Sequence, residues 1–163
     1  MRERYQPPSD FLKAVIAEDA PLSGSRFGEA NFQLLIDMTT DADRANRDWA
    51  VMLLSQQERD TPQVRATLLL AARDEDEDVR AEAILGLAMI DRALALPLVK
   101  DALAGTSATL PIFEAAALVA HPSLVNALRA FDEPSDDPLL DDLVIIALEA
   151  CENGAPPVQG VEW

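Results

Sequence analysis

Apolar residues recur along the chain at helical intervals, in stretches separated by short polar turns. Leu96, Val99 and Leu103 stand three and four residues apart, and the alanine- and leucine-rich segments Ala81 to Ala88 and Ala115 to Ala120 offer faces on which helices approach closely. The pattern predicts an N-terminal helix over about 10–19 with Ser9 as its cap. Four helix pairs follow, at 28–39 with 44–57, 62–73 with 77–91, 93–104 with 109–120, and 122–131 with 138–151. No strand-like alternation competes with them: aromatics are 5% of residues and no Asp-Gly hairpin turn occurs. The expectation is an all-α fold in one domain over 1–151. Gly154, Pro156, Pro157 and Gly160 mark 152–163 as a flexible tail.

The elements repeat. Asp41, Asp43, Arg47, Ala50, Val51 and Leu54 recur as Asp74, Asp76, Arg80, Ala83, Ile84 and Leu87, a shift of 33 residues. A degenerate third copy puts Ser107, Thr109, Ala116 and Ala117 at the positions of Asp74, Asp76, Ala83 and Ile84, with Phe113 at the arginine position. A fourth, offset by about 31, runs from Asp136, Asp137 and Pro138 through Leu143, Ile146, Ala147 and Leu148. Asp41, Asp74 and Asp136 or Asp137 precede the second helices, where a carboxylate that caps free N–H groups contributes about 0.5–2 kcal/mol. The first helices begin with or contain proline, which suits a first turn; Pro97 lies deeper and is expected to kink its helix.

The run from Asp74 through Val79, Arg80, Ala83 and Leu87 to Ile90, followed by Ala95, Pro97 and Leu103, resembles the HEAT repeat, in the short form called the lyase-type HEAT-like repeat. The match spans roughly 28–151 and is strongest in the middle unit. The resemblance implies a short right-handed α-solenoid of about four helix pairs plus the N-terminal helix, with second helices lining the concave side. It also implies a ladder between repeats from turn aspartate and helix arginine, carried here by Asp41, Arg47, Asp74 and Arg80. At Ser107 and Phe113 the ladder should break. The fold serves scaffolds, chromophore lyases, hydroxylases and glycosylases, so it leaves the chemistry open.

Charge narrows the partners. Thirteen Lys and Arg face 29 Asp and Glu, for a formal charge of −16. Residues 1–100 hold 18 acids and 12 bases, whereas 101–163 hold 11 acids and one base, Arg129. A phosphate-backbone binder needs a positive footprint, so nucleic acid is excluded, and anionic lipid is repelled. Such a field accelerates encounter with cationic partners. A single cysteine, Cys151, leaves no intramolecular disulfide, and no apolar run is long enough to span a bilayer or form a secretory signal. The expectation is a cytoplasmic protein.

Chemistry-bearing clusters reduce to structural roles. Asp74 to Asp78 are consecutive carboxylates, but a calcium loop needs glycine at its sixth position and glutamate at its twelfth, where this chain has Val79 and Leu85. The lone His121, before Pro122, reads as a turn or cap residue, Cys151 as a small buried residue, and Trp49 as a partly buried cover for the first repeat. Nucleotide-binding, serine-hydrolase and metalloprotease templates are missing. We therefore expect no catalytic residue, no metal and no cofactor, and a non-catalytic protein-interaction module for a cationic protein partner. Asp48, Asp78, Glu114 and Asp142 on second helices, with Asp136 and Asp137 in the acidic turn, are the candidate contact residues. The alternatives are an immunity or antitoxin protein for a basic toxin, and a chromophore-lyase-like enzyme or accessory.

Overall fold

The computed structural model describes residues 5–157, and among these every regular element is helical. They are α1 (Asp10–Ile16), α2 (Arg26–Met38), α3 (Arg44–Ser55), α4 (Pro62–Ala71), α5 (Glu77–Ile90), α6 (Arg92–Leu103), α7 (Leu110–Val119), α8 (Val125–Leu128) and α9 (Pro138–Asn153). The chain divides into two compact units, one ending at Ala83 and one beginning at Ile84.

Capping side chains set the helix starts in the first unit. Ser9 Oγ accepts from the Leu12 N–H at 3.3 Å, Ser25 Oγ from Gly28 at 3.0 Å, and Thr61 Oγ1 from Val64 at 3.2 Å ahead of Pro62. The second helices are capped two residues later than the sequence suggested. Asp43 Oδ1 accepts from Ala45 and Asn46 at the start of α3, and Asp76 Oδ1 from Asp78 and Val79 at the start of α5. Asp41 and Asp74 instead accept the N–H of Asp43 at 2.8 Å and of Asp76 at 2.9 Å, closing an Asx turn upstream of each cap. Extended backbone directly before the first helical turn lets a carboxylate reach back to the free N–H groups, and Asp43 has that conformation.

In this unit α2 pairs with α3, while α1 and α4 also pack on α3. Leu12, Leu35, Ala50, Val51, Leu54, Val64 and Leu68 fill the space between them. Arg59 closes the α2 side: its guanidinium lies 4.0 Å from the Phe32 ring centroid and donates to the Leu22 carbonyl at 2.9 Å.

The second unit is apolar to its centre. α7 packs on α6 and α9, burying Val99, Phe113, Ala115, Ala116, Leu143 and Ala147. Alanines let the helices approach until Cys151 Sγ comes within 3.5 Å of the Ala116 carbonyl, so the lone cysteine is a buried core residue. α6 continues through Pro97. The expected helix over 122–131 is broken: Pro122–Leu124 and Arg129–Phe131 are 3-10 turns around the four residues of α8. So short an α segment has too few i to i−4 bonds to hold α geometry at both ends. His121 does act as a turn residue, its Nδ1 accepting from the Ser123 N–H at 3.2 Å. Asp137 caps α9 by accepting from Leu139 at 3.0 Å. α9 runs to Asn153 and stops at left-handed Gly154, so residues 152 and 153 of the expected tail are helical; 158–163 lie outside the described residues.

Gly28, in the first turn of α2, is a close backbone approach. A Cβ there would stand 2.4 Å from the Ser23 carbonyl oxygen. Backbone cannot step aside as a flexible side chain would. Gly28→Ala is therefore expected to destabilise the first unit by about 1–3 kcal/mol, read as a lower thermal midpoint. An unchanged midpoint would show that the turn before α2 relaxes freely.

Candidate functional site

The first unit uses its acids to bind itself. Arg47, on α3, donates from Nε to Asp74 Oδ2 at 2.8 Å and from Nη2 to Asp74 Oδ1 at 3.0 Å, a bidentate pair joining the first repeat to the turn of the second. The side chains are only 11% and 13% exposed. Arg47 Nη1 also reaches the Asp41 and Ala42 carbonyls, and Arg80 makes the same bonds one repeat later, to the Asp74 and Glu75 carbonyls. Burial alone would push Asp74 up, but the Arg47 hydrogen bonds, the Asp76 N–H and the Arg47 charge outweigh it and hold the carboxyl below its ordinary value. Arg44 bridges Asp76 and Asp78 in parallel.

Two of the residues expected to face a partner are thus already engaged. Asp78 is paired with Arg44, and Asp48 accepts the Tyr5 hydroxyl at 3.0 Å. The Tyr5 ring stacks on Trp49 with centroids 6.0 Å apart, and the Ser9 N–H donates to Asn46 Oδ1 at 3.0 Å, strapping the N-terminal segment along α3. Trp49 is partly buried beneath this strap. Burial raises Asp48 above its ordinary value, partly opposed by the Tyr5 hydrogen bond. Tyr5, lying outside every periodic segment, carried no signal in the sequence.

The second unit differs. Asp137 is occupied as the α9 cap, and Asp141 accepts from Ser135 N and Oγ at 3.0 and 2.7 Å. Arg129 pairs with Glu152 at 3.1 Å, away from the acidic turn. Asp136 and Asp142 remain exposed, as do Asp132, Glu133 and Glu149; among the described residues none of these five has an ion pair or side-chain hydrogen bond. Glu114, on α7, is half-buried and raised above its ordinary value by desolvation. The six expected residues are therefore not one site: Asp48 and Asp78 belong to the internal network of the first unit, Asp136, Asp137 and Asp142 gather at the start of α9, and Glu114 stands apart on α7. Among the described residues no three His, Cys, Asp or Glu side chains are grouped to hold a metal, and no helix is long and apolar enough to cross a membrane.

The HEAT repeats family model matches residues 32–120, from within α2 to the end of α7. No curated protein matches the sequence. Among solved structures, the X-ray structure of YibA from Escherichia coli is similar with a TM-score of 0.61 at 21% identity, over 87% of this chain and 54% of that one. The chain thus spans about half the length of that protein, and likeness at this identity concerns the fold alone.

Two measurements check the first unit. Asp74→Asn removes the carboxylate from Arg47 and is expected to cost about 2 kcal/mol in denaturant unfolding, the scale of hydrogen bonds to a charged group; a loss below about 0.5 kcal/mol would mean that the pair is as weak as an exposed one. Tyr5 is the only tyrosine, so phenolate absorbance reports it cleanly. Burial first, then the hydrogen bond to Asp48, raises it from 10.0 to about 12. A raised folded value means that the stability this contact contributes is full below pH 10 and is lost as the pH climbs towards 12. The absorbance midpoint of the folded protein should lie near 12 and fall in Asp48→Asn; a midpoint near 10 would remove the strap.

Proposed function

The chain belongs to the HEAT-repeat family, whose helix pairs generally serve as protein-interaction scaffolds, and from that premise we propose that it is a non-catalytic binding module for a cationic protein. One observation carries the charge of the partner. Asp132, Glu133, Asp136, Asp142 and Glu149 line the turn before α9 and its outer face without a counter-charge among the described residues, whereas in the first unit Asp74, Glu75, Asp76 and Asp78 are paired with Arg47 and Arg44. Unneutralised like charges repel one another and lower folded stability, a cost that a basic partner reverses.

Contacts at such an exposed rim act mainly on the encounter rate and are screened by salt. The contact falls on Asp136 and Asp142, with Asp137 contributing charge while remaining the helix cap. Asp48 and Asp78 serve the fold, and Glu114 is a secondary candidate on α7.

Affinity capture from lysate at about 50 and about 500 mM salt tests this. The expected partner is basic, is released at the higher salt, and is lost when Asp136→Asn and Asp142→Asn are combined. An acidic partner, or retention indifferent to salt and to the double variant, overturns the proposal.

A further inference from the structure

The acidic turn also encloses an apolar notch. Phe131, Pro134, Val144 and Ile145 line a space of about 170 Å³ whose rim carries Asp132 and Glu133. The floor is rigid. Phe131 meets the fully buried Phe113 edge-on, with centroids 5.3 Å apart, and Val144 belongs to the core of the second unit. The rim is held too, because Ser135 is fastened to Asp141 through its N–H and hydroxyl and accepts the Asp137 N–H at 3.1 Å. Ile145 nevertheless leaves 48% of its surface exposed at the mouth. Asp142 stands three residues before it, on the same side of α9.

A dry apolar cavity of roughly 150 Å³ holds a benzene molecule, so this space suits one medium-sized apolar side chain. Its surroundings select what can carry that side chain. A second copy of a chain with charge −16 would bring its own acids against Asp132, Glu133 and Asp142, and an acidic segment would meet the same repulsion. A segment with Lys or Arg on either side of the apolar residue meets the opposite sign. We propose that the notch anchors one aliphatic side chain of a basic segment in the partner, with the flanking cations against Asp132, Glu133 and Asp142. This rests on the acidic-docking reading above and adds its apolar determinant. Because the floor and rim are already in place, little ordering opposes entry.

Calorimetry on the full chain at low salt separates the two ideas. The probes are a short peptide of Lys, Arg and Ser with one central leucine, and the same peptide with that leucine replaced by serine. The leucine peptide should bind about tenfold to a hundredfold more tightly, the worth of burying one such side chain. Ile145→Ser, at a half-exposed position and with an unchanged melting curve, should erase that advantage and leave the serine peptide unaffected. Equal binding of both peptides by both proteins overturns the notch and leaves acidic docking standing. Binding of neither overturns acidic docking as well. Self-association in sedimentation that Ile145→Ser abolishes would assign the notch to a second copy and overturn the proposal.

Discussion

The carboxylate of Asp74 ties the first unit together, because it closes a turn and accepts an arginine at once. Oδ1 receives the Asp76 N–H that shapes the turn before α5, while both oxygens receive the Arg47 guanidinium from α3. Asp76 is then placed to cap α5 and to meet Arg44. Cap, turn and ladder are thus consequences of one side chain's position. Such coupling constrains the interval between Arg47 and Asp74, since a shift of one residue would turn the carboxylate away from the guanidinium.

The acidity therefore has two meanings. Near Asp74 the carboxylates have arginine and backbone N–H partners, two of them have values held low, and their charge works for the fold. Their contribution is present above the ordinary carboxylate range and is lost as pH falls below it. At Asp132, Glu133, Asp136 and Asp142 no such partner exists among the described residues, and repulsion is left uncompensated. Asp137 and Asp141, in the same run, belong with the first kind, since one caps α9 and the other clasps Ser135. Composition counts all of them alike.

What the sequence made legible follows from how local each cause is. Helical spacing and the 33-residue repeat depend on neighbours along the chain, and they located α2 to α7 and α9 within a few residues. The ladder needed only the register of Asp74 against Arg47. Cap identity was off by two because an aspartate before a helix satisfies either a turn or a cap, and Asp41 and Asp43 do one each. The breakage at 122–131 depends on how few residues remain helical between two tight ends, which periodicity does not measure. The withdrawal of Asp48 depends on Tyr5, 43 residues away and outside any pattern. The notch is equally nonlocal, assembled from Phe131, Pro134 and α9.

The notch and the free acids share an origin in the repeat itself. Position 47 is an arginine, position 80 is an arginine, and position 113 in the same register is Phe113. In the first unit Arg47 supplies a cation to the turn acids and Arg80 binds the turn carbonyls; in the second Phe113 supplies a wholly buried ring that supports Phe131. Replacing the cation with the ring removes neutralising charge and builds an apolar floor in one step. Stability in the second unit then comes from packing, which does not require the surface acids to be paired. A surface so released can hold a charge pattern set by a partner, and the apolar floor beneath it supplies the desolvated contact that exposed ion pairs by themselves lack.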